Sequence, residues 1–193
     1  MKKQPEQTKA TRQKLIDAFW SIYKIKDLNK IAIGEITKAA EFNRSTFYEY
    51  FLDIYDILFQ IEDELLENIK TDMEITFSNG FPNSIQEFSL LCSRVFRKYD
   101  DRLFLLMGSS GDPKFKVKLQ NIFLNIFKNI AGIYDKIPNY DYVIAFIYSA
   151  MIGLMEQWYE NGKDLSEEKF VCMLQKLIAT GVIGFSDIPL FIS

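Results

Sequence analysis

Apolar positions recur at helical spacing along most of this chain. Leu15, Phe19 and Ile22 fall at i, i+4, i+7, which predicts an amphipathic helix over about Thr8–Lys26. A polar break at Asp27–Lys30 follows, then two short helical segments at about Ile33–Ala40 and Arg44–Tyr50. Ile36, Ala39 and Ala40 form the inward face of the first, and Asn43 stands where an N-cap belongs on the second. Ile54, Leu58, Ile61, Leu65, Ile69 and Met73 hold one stripe through a long helix, about Asp53–Phe77, and Asn79-Gly80-Phe81-Pro82 stops it. The next helix opens at Ser84, with Glu87 at capping-box spacing, and runs to about Tyr99; a short helix is expected at Asp101–Met107. Asp112-Pro113 starts another that stops at Ile137-Pro138. Two more cover about Tyr140–Glu160 and Ser166–Gly184. No segment alternates at strand period, so the expected fold class is all-α, with about nine helices.

Composition agrees with that picture. The chain has 193 residues, 48% of them hydrophobic, with only 9 Gly and 5 Pro to interrupt helices. Its longest uncharged run, Tyr142–Met155, is shorter than the about 20 residues a membrane span needs, so it reads as a buried helix. The two cysteines, Cys92 and Cys172, have no metal-binding spacing and sit in apolar helical context, as expected of reduced thiols in a cytoplasmic protein. Residues 1–14 are polar throughout, unlike a signal peptide.

Charge divides the chain. Residues 1–51 carry ten Lys/Arg against six Asp/Glu, while the remainder carries thirteen against twenty. A basic N-terminal quarter on an acidic body points to a polyanion met by the first part alone, although a solvated basic tail has the same composition. The expected division is 1–52 and 53–193.

Residues 33–51, IGEITKAAEFNRSTFYEYF, concentrate the information. A short helix, a tight turn and a second helix is an arrangement that can enter a DNA major groove. Phe47 and Phe51, four apart, would pack inward. Arg44, Ser45, Thr46, Tyr48 and Glu49 would face outward: Arg pairs bidentately with guanine, Thr contacts a thymine methyl, and Tyr donates to phosphate. An ordinary helical hairpin with a solvated face is the competing reading.

With Ile36-Thr37-Lys38-Ala39-Ala40, Phe42-Asn43-Arg44-Ser45-Thr46-Phe47-Tyr48, Tyr50-Phe51 and Ile57-Leu58, the stretch from about Thr8 to Leu58 resembles the TetR/AcrR family of transcriptional regulators. The resemblance implies a three-helix DNA-binding head and a helical body for ligand binding and dimerisation. It places Arg44, Ser45 and Thr46 in the major groove, Tyr48 at the backbone or a base methyl, and Asn43 at a phosphate. Lys9, Arg12 and Lys38 complete the expected DNA-binding set. Departures from the family pattern are Glu41 in place of a turn Gly, Ala32 in place of a capping Thr or Ser, and Gly34 and Ile54 in place of polar or basic residues. Glu41 either takes a strained backbone angle or sits in a different turn. The absent contacts imply weak or arm-dependent DNA binding, with Lys2, Lys3, Lys9 and Arg12 compensating.

In the body, Val143, Ile147, Ala150, Leu154 and Trp158 form one stripe, and Phe170, Leu174, Leu177 and Gly181 another. In the resembled family the last two helices pair with their twins, so these are the expected homodimer interface, matching a palindromic operator. Packing within a monomer would use the same stripes. Phe88, Phe96, Phe104, Met107, Phe123, Phe127, Tyr148 and Met151 are the candidate lining of an apolar pocket, although most such residues serve as plain core. Residues 153–162, GLMEQWYENG, followed by Ser166-Glu167-Glu168, are similar to the C-terminal domain of a Firmicutes-type TetR subgroup.

The chain has no His, P-loop, GxGxxG or GxSxG, which removes His-based triads, His metal sites and the common nucleotide cradles. No enzyme activity, metal or cofactor is expected. The expected function is a DNA-binding regulator, a repressor released by a small apolar or aromatic ligand. The alternative is a helical adaptor, or a ligand-blind regulator controlled by a protein partner.

Overall fold

A computed structural model describes residues 5–78, 85–108, 111–129 and 138–185, apart from a minority of side chains within those spans. The described residues form eight α-helices and one 3-10 turn, with no strand among them. They are α1 (Pro5–Tyr23), the 3-10 turn (Leu28–Lys30), α2 (Ile33–Ala39), α3 (Arg44–Tyr48), α4 (Ile54–Thr76), α5 (Ile85–Met107), α6 (Pro113–Asn129), α7 (Tyr140–Glu160) and α8 (Glu167–Phe185). The expected all-α class is the observed one.

Two boundaries differ from expectation. Tyr99 and Asp101 lie within one unbroken helix, α5, because no Gly or Pro interrupts residues 85–107 and charged residues are tolerated in a helix. In α8, Gly181 departs from helical geometry at φ 66, ψ −177, so the regular helix is broken there. Expected features on Ser84 and residues 130–137 lie outside the described residues.

The chain forms two units, residues 1–65 and 66–193, divided inside α4. In the first, the α1 stripe is buried through Leu15, Ile16, Phe19, Trp20 and Tyr23, and it meets Ile36, Phe47, Phe51, Ile57 and Leu58 in one aromatic-rich core. Phe19 stacks on Tyr23 at 5.4 Å, and Phe47 meets Phe51 at 5.3 Å. Such ring pairs add to area burial only in these offset or tilted geometries. Ala39, expected inward, is exposed; Thr37 takes the buried position beside Ile36.

In the second unit Asp72 of α4 accepts hydrogen bonds from Lys98 Nζ and Tyr99 Oη of α5, both at 2.6 Å. Lys116 of α6 pairs with Glu156 of α7, and Arg97 of α5 with Glu167 of α8. Buried apolar residues from α4 to α8, Met73, Leu106, Phe115, Phe127, Met151 and Phe170 among them, make the core. Cys172 is a free thiol but exposed, so it does not serve as the core hydrophobe that its apolar neighbours suggested.

Candidate functional site

α2 and α3 are joined by four residues whose geometry follows from how α2 ends. The Glu41 N–H donates to the Lys38 carbonyl at 3.3 Å and the Phe42 N–H to the Thr37 carbonyl at 2.8 Å. This paired closure satisfies the last carbonyls of α2 and requires a left-handed residue at its centre. That residue is Glu41, at φ 61. The strained angle anticipated from the absence of Gly is therefore present. At the other end of α2, Ala32 has the extended backbone of an N-cap, φ −103 and ψ 142, but no side-chain acceptor. Glu35 supplies the reverse half of a capping box by accepting from the Ala32 N–H at 2.9 Å. It also pairs with Lys26 at 2.8 Å, and Lys26, then the Ala32 N–H, hold its carboxyl below the ordinary Glu value.

α3 is one and a half turns long and is anchored by aromatics. Phe47 and Phe51 are 0% and 1% exposed, and Tyr48 meets Phe47 edge-on at 5.7 Å. Anchoring one face presents the other: Asn43, Arg44, Ser45, Tyr48 and Glu49 are exposed and Thr46 is half-buried. Lys38, in the last turn of α2, and Lys9 on α1 are exposed as well. Asn43 stands at the N-cap position with extended backbone and without a side-chain cap bond.

Arg12 behaves differently from the rest of the expected set. Its guanidinium donates to Gln60 Oε1 at 3.0 Å, lies 2.7 Å from Glu64 and covers the Phe51 ring at 5.5 Å. Gln60 in turn donates to the Tyr50 carbonyl at 3.2 Å. Arg12 thus ties α1 to α4 and, through Gln60, to the exit of α3, with its Nη2 shared between Gln60 and Glu64.

Two features here were missed in the sequence. Gly34 lies under the Arg44 side chain: a Cβ on it would stand 2.9 Å from an Arg44 Nη. Leu52, Tyr55 and Phe59 are exposed next to Tyr48 in sequence. Their spacing at i, i+3, i+7 was a legible signal, whereas nothing in the sequence pairs residue 34 with residue 44.

In the body, five candidate pocket residues, Met107, Phe123, Phe127, Tyr148 and Met151, are buried. Phe123 touches Phe127 at 4.2 Å and Tyr148 at 5.1 Å, and Phe77 meets Phe127 at 5.1 Å. Burial, with a smaller contribution from Glu156, pushes the Tyr148 hydroxyl well above the ordinary phenol range. The side chains of Phe88, Phe96 and Phe104 lie outside the described residues.

The two stripes expected to pair between subunits divide. Val143, Ile147, Ala150 and Leu154 lie on the partly open face of α7, beside Tyr142 at 81% and Phe146 at 68% exposure. The opposite face of α7 is buried through Tyr140, Ile144, Tyr148, Met151 and Met155. Trp158 instead stacks on Phe170 at 4.4 Å and donates its indole N–H to the Leu165 carbonyl, clamping the α7–α8 turn of its own chain. Phe170 and Leu174 are buried within the unit, Leu177 is half-buried, and Gly181 is exposed at the break in α8. Trp158, Phe170 and Leu174 thus have intrachain partners because α8 turns that stripe toward its own core.

Comparison with known proteins sets these features in a family. No curated protein sequence matches the chain. Among solved structures it is similar to the fatty acid degradation regulator FadR of Bacillus halodurans, with TM-score 0.69 and 15% identity over 94% of this chain and 98% of that one. It is also similar to the transcriptional regulator FadR of Bacillus subtilis, solved in complex with stearoyl-CoA, with TM-score 0.68 and 17% identity over 88% and 98%. A third is NalD of Pseudomonas aeruginosa, the secondary repressor of the MexAB-OprM multidrug efflux pump, with TM-score 0.68 and 13% identity over 90% and 97%. These likenesses establish the fold. The C-terminal region of transcriptional regulators in the TetR class matches residues 83–180, which is half of the chain, and by that match the chain belongs to the TetR family of transcriptional regulators.

Proposed function

We propose that the chain binds double-stranded DNA as a homodimer, with residues 1–52 as the reading head and 53–193 as the regulatory body, and that it represses transcription from a palindromic operator. The observation that carries this reading is the anchoring of α3: Phe47 and Phe51 are buried while Asn43, Arg44, Ser45 and Tyr48 face outward. Thr46, Glu49, Lys38 and Lys9 complete the proposed contact set. Arg12 is assigned to holding the head together. The exposed apolar face of α7, with Phe146 at its centre, supports pairing with a second copy, since large exposed apolar patches mark interaction surfaces.

The proposed effector is a small molecule with a long apolar or aromatic part, bound among Met107, Phe123, Phe127, Tyr148 and Met151. The buried aromatic cluster supports this, and the stearoyl-CoA complex of the Bacillus subtilis FadR supports an acyl chain as the first ligand to try. Release requires that the ligand bind the DNA-incompetent state more tightly than the competent one. α4 belongs to both units and is the proposed carrier of that change.

A second reading has its own observation. Exposed Leu52, Tyr55 and Phe59, at the end of the head and the start of α4, offer an apolar surface that fits a protein partner, as in a helical adaptor. A gel-shift titration against the DNA upstream of the coding sequence, with a random duplex at two salt concentrations, separates the readings. Specific retardation that weakens with salt supports the regulator; equal affinity for both duplexes supports the adaptor.

A further inference from the structure

Arg44 and Gly34 are ten residues apart in sequence, yet the guanidinium of Arg44 occupies the space where a side chain on Gly34 would begin. A Cβ built on Gly34 would lie 2.9 Å from Nη2, 3.5 Å from Nε and 3.6 Å from Cζ of Arg44. Real Cβ atoms essentially never stand closer than 3.0 Å, and the atom met here is the far end of a flexible side chain, so a residue larger than Gly at position 34 displaces the Arg44 head at little cost to the fold. Gly34 sits in the first turn of α2, where Gly lowers helix stability relative to Ala. Its backbone φ is not in the left-handed region, so neither helix propensity nor backbone geometry accounts for Gly at this position. The Arg44 head lies against this position.

We propose that Gly34 is a specificity-positioning residue: by leaving its side-chain space empty, it lets the Arg44 guanidinium rest on the first turn of α2 and so fixes the direction in which Arg44 presents its donors to a base. The inference rests on the DNA-reading function proposed above and names the chemistry of one contact. A planar guanidinium held at the start of α3 suits the paired acceptors N7 and O6 of a guanine in the major groove. An arginine side chain has several free torsions, and ordering it before binding removes an entropic cost that an unsupported side chain meets on binding. Arg12, the other arginine of the head, is committed to Glu64, Gln60 and Phe51, which leaves Arg44 as the arginine of this segment directed outward.

The test is a double-mutant cycle with Gly34→Ala, Arg44→Ala and the pair, measured on the full-length protein against its selected operator and a random duplex. Gly34→Ala keeps every charge, and Ala is the better helix former, so thermal stability stays equal or rises. The expected result is a loss of about threefold to tenfold in operator affinity, from the freedom regained by one side chain, with random-duplex affinity and salt slope unchanged. In the Arg44→Ala background the same substitution has no further effect. A Gly34→Ala protein that binds the operator as wild type does, or a loss that persists in the Arg44→Ala background, overturns the role of Gly34 while the DNA-reading function stands. Wild type that does not prefer the operator, together with an inert Arg44→Ala, overturns the reading itself. An independent readout needs no DNA: the Arg44 Nε–Hε resonance is expected to differ from free arginine in wild type and to move to the free-arginine position in Gly34→Ala, and an unmoved resonance overturns the proposal.

Discussion

The Arg12 guanidinium sits 2.7 Å from the Glu64 carboxylate and 3.0 Å from Gln60 Oε1, joining the first helix to the fourth across a sequence separation of 48 for the Gln60 bond. The Gln60 amide then holds the Tyr50 carbonyl, so one side chain braces the exit of α3 as well. Arg12 is half-buried and Glu64 mostly exposed, so the ion pair contributes little by itself; the hydrogen bonds and the cover over Phe51 matter more. Arg12→Ala is expected to destabilise the head by about 1 kcal/mol, read as a lower thermal midpoint without DNA. Arg12→Lys is expected to restore only part of it: both bonds leave the single nitrogen Nη2, which an ammonium can imitate, but the planar cover over Phe51 is lost. Unchanged stability with weaker DNA binding would instead make Arg12 a direct phosphate contact.

The left-handed Glu41 predicts a stabilising substitution. An L-residue at φ 61 costs about 1–2 kcal/mol relative to right-handed backbone, and Gly removes that cost while adding about 0.5–1 kcal/mol of unfolded-state entropy. Glu41→Gly is therefore expected to stabilise the head by about 0.5–1 kcal/mol, and Glu41→Ala to leave it near wild type. Thermal unfolding of the three proteins checks this. A Glu41→Ala gain equal to that of Glu41→Gly would place the effect in the side-chain charge rather than in the backbone.

How far such details were legible depends on their range. The limits of α7 and the α4 stripe from Leu58 to Met73 follow from local periodicity and from flanking Gly and Pro, and the structure has them. The Glu41 strain was legible because one missing Gly in a known turn leaves few alternatives. The face of α7 and α8 that turns inward was not, because both faces of α7 are apolar and periodicity does not rank them. The 4.4 Å stack of Trp158 on Phe170 within one chain is likewise a contact between two helices that periodicity does not pair. Arg12 and Gly34 were illegible for a related reason: their partners lie in other elements, and composition carries no signal of a contact.

The clasp of Asp72 with Lys98 and Tyr99 makes the body sensitive to acid. Hydrogen bonds from Lys98, then Tyr99, hold the Asp72 carboxyl below its ordinary value near 3.8. A carboxyl depressed in the folded state contributes stability that is present above its unfolded pKa and is lost as pH falls through the folded one. Stability is thus expected to decline below about pH 4 through this group, and Asp72→Asn to flatten that part of the profile while lowering stability at pH 7. Burial, then Asp72, raises the Tyr99 hydroxyl, whose contribution is complete below its ordinary value near 10 and is lost as pH rises further. Chemical denaturation from pH 3 to pH 8 checks the acid limb. An Asp72→Asn profile parallel to wild type would remove Asp72 as the source.

The two aromatic residues Phe146 and Trp158, both on α7, are expected to separate assembly from folding. Phe146 is 68% exposed on the open face, and Trp158 is clamped between Phe170 and the Leu165 carbonyl. A charge at position 146 costs the monomer little, since that side chain already meets solvent, but burying it unpaired between two copies costs several kcal/mol. Phe146→Glu is therefore expected to give a folded monomer with unchanged helical content. Trp158→Ala removes a ring stack and a hydrogen bond inside one chain, so it is expected to lower stability by about 2–3 kcal/mol, below the full-core value because the indole is only half-buried. Far from the unfolding midpoint it leaves the subunit count unchanged. Sedimentation equilibrium gives the mass and thermal unfolding the stability. A Phe146→Glu protein that stays dimeric would move the interface off this face of α7, and a monomeric, fully stable Trp158→Ala would return Trp158 to the subunit interface.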